Sequence, residues 1–263
     1  MLLENKVAVI YGAGGAIGST VARAFASEGA TLFLTGRRRA SVEAVAKDII
    51  SAGGVAEVAE VDALDEGSVD RHLDAVLEKA GRVDISFNAI GIPNTRLQGV
   101  PLRELDVEQL MLPVVTYARS YFLTSRLAAR RMSANRSGVI MTVTSTPART
   151  GIPLVGGVAL AMAAVDQLTR SLSAELAADG IRVVGLRPTG MRESGTIQEV
   201  FGLHAKAWGI TWDEFHERIA TRSHTRRLTT LAEVANTAVF IASDKASGIT
   251  GNVVNLTMGS FDE

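Results

Sequence analysis

The chain has 263 residues, 47% of them hydrophobic, and no low-complexity tract or linker, so one α/β domain spanning residues 1–263 with a large buried core is expected. Lys and Arg number 27 against 28 Asp and Glu, with neither sign in a long block. That balance excludes the broad field of a nucleic-acid or membrane-surface binder and leaves a small molecule as the expected partner. The absence of cysteine excludes disulfides, thiolate metal sites and a cysteine nucleophile.

The segment Met1-Leu2-Leu3-Glu4-Asn5-Lys6 leads directly into an apolar run, without the features of a signal peptide. The longest apolar runs, such as Val158 to Val165, fall far short of the roughly 20 residues that span a bilayer. A cytoplasmic chain without a membrane segment is expected.

Short β-branched runs alternate with alanine-rich segments of helical spacing, the pattern of parallel strands joined by crossover helices. Strands are expected at 6–11, 31–35, 55–61, 84–88, 138–144, 182–186 and 252–256. Helices are expected at about 17–28, 41–52, 66–80, 107–134, 157–178 and 231–242. The fold class is therefore a Rossmann-like, doubly wound parallel sheet with helices on both faces.

Directly after the first strand comes Tyr11-Gly12-Ala13-Gly14-Gly15-Ala16-Ile17-Gly18, opening a helix. Gly12, Gly14, Gly15 and Gly18 permit a tight turn and let backbone N–H groups reach a pyrophosphate at the positive end of the helix. The second strand ends in Thr35-Gly36-Arg37-Arg38-Arg39, where an NAD-binding site would place an acid against the ribose hydroxyls. Guanidinium groups suit a 2′-phosphate, so Arg37 and Arg38 favour NADP(H) over NAD(H). The alternative is that the three arginines only solvate a helix start. After the third strand, Asp62-Ala63 offers a carboxylate for an adenine amino group; after the fourth, Asn88-Ala89 leaves room for the nucleoside. An ordinary helix cap and turn is the competing reading of both.

Between Met191 and Arg227 the alternation stops, and this stretch carries both tryptophans and three of the four histidines. It follows a strand end, where ligands bind in such sheets, so 191–227 is expected to be a substrate lid. His204, His216 and His224 are read as solvated or packing residues, and their spacing suggests no metal. Arg149, after the fifth strand, is read as an exposed loop arginine rather than an anchor for an anionic substrate.

Together these motifs resemble the short-chain dehydrogenase/reductase family over essentially the whole chain. The resemblance implies a seven-stranded Rossmann-like sheet. Gly12, Ile17 and Gly18 match the family's Thr-Gly-x3-Gly-x-Gly pattern, with Tyr11 and Ala16 replacing a threonine and a glycine. Of the family's Asn-Asn-Ala-Gly segment, Asn88 and Ala89 are retained. Asp62 fits its adenine-contacting aspartate, Pro188-Thr189-Gly190 its Pro-Gly turn beside the nicotinamide, and 249–255 its last strand.

The family's catalytic serine precedes a tyrosine by thirteen residues, and a lysine follows four further on along the same helical face. That lysine lowers the tyrosine pKa so that it can exchange a proton with a substrate oxygen. Aligning the strand that ends in Thr144-Ser145 places the serine at Ser145, with Val158 and Met162 at the tyrosine and lysine positions. Neither side chain carries a proton. No tyrosine follows Tyr121 and no lysine lies between Lys79 and Lys206, so no shift of alignment restores the motif.

Counting back along the fourth helix, the family's asparagine falls at Tyr117, which supplies either a substitute acid or an ordinary packing aromatic. The expected catalytic groups are thus Ser145 and Tyr117, with no metal. Two functions stand. One is an NADP(H)-dependent oxidoreductase with a rebuilt proton relay; the other is a nucleotide-binding protein without catalysis, acting as a sensor or subunit partner. The resemblance also implies a homo-oligomer, tetramer or dimer, packed through the fourth and fifth helices and the last strand.

Overall fold

A computed structural model describes residues 1–260; the last three residues of the expected domain lie outside the described residues. Seven strands form one sheet: β1 (Val7–Tyr11), β2 (Thr31–Gly36), β3 (Val55–Glu60), β4 (Ile85–Asn88), β5 (Gly138–Val143), β6 (Ile181–Pro188) and β7 (Val253–Leu256). Their order is β3-β2-β1-β4-β5-β6-β7, and every neighbouring pair is parallel.

Alternation along β1 divides the core. Ala8 and Ile10 point to one face, where they join Phe25 of α1 (Ala16–Ser27), Val45 of α2 (Arg39–Ser51) and Val234 of α8 (Leu231–Ala242). Val7, Val9 and Tyr11 point to the other, against Leu73 of α3 (Glu66–Ala80), Leu127 of α4 (Val107–Met132) and Leu172 of α5 (Val158–Leu176). Both faces are covered, which is why the central strands read as continuous apolar runs. At the edge, β3 departs from that pattern: it is half-buried to exposed along its length, since one neighbour is missing.

The expected doubly wound architecture is present, with most strand boundaries displaced by a residue or two. β6 runs longer than 182–186 at both ends, and α4 and α5 finish in short 3₁₀ turns at Ser133–Asn135 and Ala177–Asp179. The stretch 191–227 contains two helices, α6 (Gly195–Trp208) and α7 (Trp212–Ala220). Their shared cluster of Phe201, Ala205, Phe215, Ala220 and Leu228 is separate from the two main cores. No helix among the described residues is long and apolar enough to cross a membrane.

Two features fix the parts of the sheet that matter below. Where the strand order reverses, between β1 and β4, the backbones touch: a Cβ on Gly12 would lie 2.6 Å from the Ala89 carbonyl oxygen, and one on Gly18 2.4 Å from that of Gly12. Gly12 also has φ +74°, a conformation side chains disfavour. Deeper in the fold, Asp166 of α5 and Arg187 of β6 form an ion pair at 2.5 Å, with side chains 3% and 0% exposed. Breaking such a buried pair costs about 3–5 kcal/mol, because the remaining charge is left without its partner.

Candidate functional site

At the β1/β4 reversal a groove of about 910 Å³ opens beyond the carboxyl ends of the strands. Its floor is the loop after β1, with Gly12, Gly14 and Gly15, and the loop after β4, beginning at Ala89. Gly15 caps α1 with backbone alone: no side chain accepts from the first turn, and no acid stands in it. The free N–H groups and the helix dipole therefore face an anion with no competing carboxylate. A Cβ on Gly14 would lie 2.5 Å from Ser41 Oγ, so the loop lies flat against the start of α2.

At one end the groove is lined by Arg37, Arg38, Asp62 and Ala63. The three arginines separate here: Arg39 pairs with Glu43 at 2.7 Å, while Arg37 and Arg38 are exposed and form no ion pair among the described residues. Asp62 accepts from the Leu64 N–H at 3.0 Å through one carboxylate oxygen. This uncapped cradle, flanked by two unengaged guanidinium groups, fits a phosphate-bearing dinucleotide.

At Gly15, Ala89, Ile90, Gly91 and Thr196 the groove meets a second cavity, of about 280 Å³. Thr144 and Ser145 follow β5 into its wall, Pro188 ends β6 and Thr189 follows it, and Tyr117 reaches it from α4. Val158 and Met162 also line it, one helical turn apart on α5. Among the described residues, no Asp, Glu, Lys or Arg lines this cavity. Burial raises the Tyr117 pKa, opposed by a hydrogen bond with the Ile92 backbone, so the phenol stays protonated at neutral pH. The neighbouring Tyr121 hydroxyl is occupied, donating to the Val143 carbonyl at 2.9 Å.

Of the residues expected at the site, Ile17 lines the cavity and the remainder named above line the groove or cavity, but Gly18 and Asn88 line neither. Gly18 serves the close packing of α1 on the loop. The Asn88 side chain is spent internally, donating to Thr124 Oγ1 at 3.0 Å and accepting from the Ile90 N–H at 3.1 Å. Arg149 is exposed and outside the cavity lining. His216 stacks on Trp212, whereas His204 is buried in the cavity wall, 3% exposed.

Residues not singled out from the sequence tie the loop after β4 to α6, beside the groove and the cavity. Glu199 of α6 accepts from the N–H groups of Asn94 and Thr95 at 3.0 and 2.9 Å and from Thr95 Oγ1 at 2.8 Å. Gln98 bonds His204 across the same junction. Behind it, a Cβ on Gly190 would lie 2.6 Å from the Phe201 ring, so the turn after β6 is packed under α6.

Residues 12–260 match the family model described as enoyl-(acyl carrier protein) reductase. The chain belongs to the short-chain dehydrogenase/reductase family. An uncharacterized oxidoreductase of Bacillus subtilis, YxbG, is 30% identical over 98% of this chain and 91% of its own length. Among solved structures, a 7α-hydroxysteroid dehydrogenase complexed with NADH and 7-oxo glycochenodeoxycholic acid has a TM-score of 0.86 at 28% identity, covering 98% of this chain and 94% of that one. An actinorhodin polyketide ketoreductase with NADPH has a TM-score of 0.89 at 25% identity, covering 97% and 98%.

The Glu199 clasp carries a pH signature. Burial would raise this carboxyl's pKa, but the hydrogen bonds from Thr95 and Asn94 outweigh it and hold the pKa below the ordinary range. A depressed folded pKa means that the clasp is complete above the unfolded pKa and is lost as pH falls through the folded value. The protection factors of the Asn94 and Thr95 amides, the free-chain exchange rate over the observed rate at the same pH, are expected to fall on acidification through that range. Glu199→Gln, which removes the charge, should show faster exchange at these amides already at neutral pH.

Proposed function

We propose that the groove binds NADP(H) and that the adjoining cavity holds a small neutral substrate, making this chain an oxidoreductase with a rebuilt proton relay. The observation that carries the reading is the continuity of the two spaces: an uncapped helix N-terminus and free arginines at one end, a closed apolar cavity at the other. When bound, NADP(H) supplies or accepts the hydride. The chain's own residues bind and orient it: Gly12, Gly14 and Gly15 under the phosphates, Arg37 and Arg38 at the 2′-phosphate, Asp62 at the adenine, and Pro188 and Thr189 at the cavity end. The solved relatives named above hold NADH in one case and NADPH in the other, and the unpaired Arg37 and Arg38 are what favour NADPH here.

Ser145 and Tyr117 are the proposed polar groups at the reacting atom. A phenol whose pKa is raised donates a hydrogen bond to a developing negative charge and does not exchange its proton readily. Such a site suits hydride transfer to an activated alkene or imine better than reduction of a plain ketone. The segment 191–227 is the proposed lid, since α6 and α7 contribute Phe201, His204 and Phe215 to the cavity wall. A second reading, binding without turnover, rests on Val158 and Met162, which bring no ionisable group to the cavity where the family motif has tyrosine and lysine. The proposed setting is the cytoplasm.

Assembly as a dimer or tetramer through α4 and α5 is part of the proposal. Val107, Met111, Val115 and Phe122 lie exposed along α4, and Leu160 on α5 is 55% exposed, a stripe suited to a partner copy. Light scattering should give a multiple of 27.8 kDa at micromolar concentration; a single subunit mass would contradict this part.

Titration followed by tryptophan quenching should show NADPH binding more tightly than NADH. Replacing both arginines (Arg37→Ser, Arg38→Ser) should weaken NADPH by about 10- to 100-fold, the loss of one charge-assisted contact, and change NADH by less than about threefold. Equal affinities that are insensitive to this change would overturn the assignment to NADP(H). In a screen of activated alkenes, imines and ketones, turnover that falls about 100-fold in Tyr117→Phe, with NADPH affinity unchanged, supports the relay. Tight NADPH binding with no turnover of any class supports the second reading.

A further inference from the structure

The cavity wall contains a directed chain of hydrogen bonds that ends on an acceptor. Asn94 Nδ2 donates to the Ile92 carbonyl at 3.1 Å, which fixes the orientation of its amide. Asn94 Oδ1 therefore faces Gln98 and accepts from its Nε2 at 2.8 Å. Gln98 is oriented in turn, and its carbonyl oxygen lies 3.2 Å from His204 Nε2. An amide oxygen has no proton to give, so the imidazole must donate from Nε2. Burial lowers the His204 pKa, so the ring is neutral at physiological pH and carries that one proton only. Nδ1 is left as a lone pair, no hydrogen bond to it is made within the described residues, and the ring lines the cavity.

The rest of the wall is apolar side chains such as Ile152, Val155, Met162 and Phe201, with neutral hydroxyls and amides between them. Among the described residues no cation lines it, so a buried carboxylate would lose its hydration without a partner. At about 280 Å³ the space is small for a ligand pocket, and α6 and α7 cover it.

We propose that this cavity selects an uncharged, predominantly apolar molecule that donates a hydrogen bond from a hydroxyl or N–H group to His204 Nδ1. Gln98 and Asn94 act as positioning residues that set the imidazole tautomer. The proposal deepens the reading of the cavity as the substrate site and rests on it. His204 thereby becomes a specificity determinant: it reads a donor on the substrate that the reacting centre does not use.

Three probes of one size test this: 2-naphthol, 2-naphthoate and naphthalene, titrated calorimetrically into the whole chain at neutral pH. 2-Naphthol should bind at least about tenfold more tightly than either other probe, the worth of one net hydrogen bond. His204→Phe should bring 2-naphthol down to the level of naphthalene and leave naphthalene within about twofold. Nitrogen-15 histidine spectra of the unaltered chain should show His204 as the Nε2–H tautomer, with the Nδ1 resonance moving when 2-naphthol is added. This last readout does not depend on the variant folding. Naphthoate binding as well as naphthol, no binding of any probe, or an Nδ1–H tautomer would each overturn the proposal. NADPH titration of the same samples separates the failures: lost cofactor binding sinks the functional reading, whereas intact cofactor binding with failed naphthol selectivity sinks only this inference.

Discussion

The contact between the loops after β1 and β4 determines where everything else in this molecule can stand. Gly12 runs against the Ala89 carbonyl and Gly18 against that of Gly12, at separations that admit no Cβ. Closing these backbones together turns the start of α1 toward the strand ends. Gly15, which caps that helix, then lines the groove, and the first turn has no acidic side chain to compete for an anion. The proposed phosphate seat thus arises from the way a parallel sheet changes direction, before any side chain is chosen for recognition. Ala16 already stands in α1 and has no positive φ, unlike Gly12, so nothing in its backbone demands a glycine.

Charge is distributed unevenly along the space that begins there. Arg37, Arg38 and Asp62 stand at the far end in water, where guanidinium groups remain hydrated and available. The near end is lined in part by α6 and α7 and contains no formal charge among the described residues. Helix α5 presents Val158 and Met162 to this cavity, and its one buried carboxylate, Asp166, is turned to Arg187 inside the fold. The polar groups proposed to act here are neutral ones on other elements that line the cavity: the Tyr117 phenol on α4, the Ser145 hydroxyl after β5, and the His204 imidazole on α6. In a low-dielectric pocket such groups are useful as oriented dipoles, and they are poor exchangers of protons.

The sheet and its glycine loop were legible from the sequence because local rules govern them. Apolar runs of strand length, glycines at helix ends and the strand-loop-helix context of Gly12 to Gly18 each act over a few residues. The cavity was legible only in part. Ser145 and Tyr117 could be placed through the family pattern, but the Glu199 clasp and the Gln98 to His204 bond join positions about one hundred residues apart, and no spacing rule reports them. His204 shows the cost: its polarity suggests solvent or casual packing, while the fold buries it and directs one nitrogen. Asn88 errs the other way. A short amide at a strand end suits a ligand or a loop equally well, and here Thr124 and the Ile90 N–H engage it. Within 191–227 the mixture of charged and aromatic residues concealed two helices, whose apolar faces meet each other as well as the cavity.

The most direct test of the account is a crystal structure of the chain grown with NADPH. The account predicts continuous density along the groove, with the pyrophosphate on the N–H groups at the start of α1, the 2′-phosphate between Arg37 and Arg38, and the nicotinamide beside Pro188 and Thr189, facing the closed cavity. NADPH lying elsewhere, or a groove that stays empty at millimolar cofactor, would contradict it.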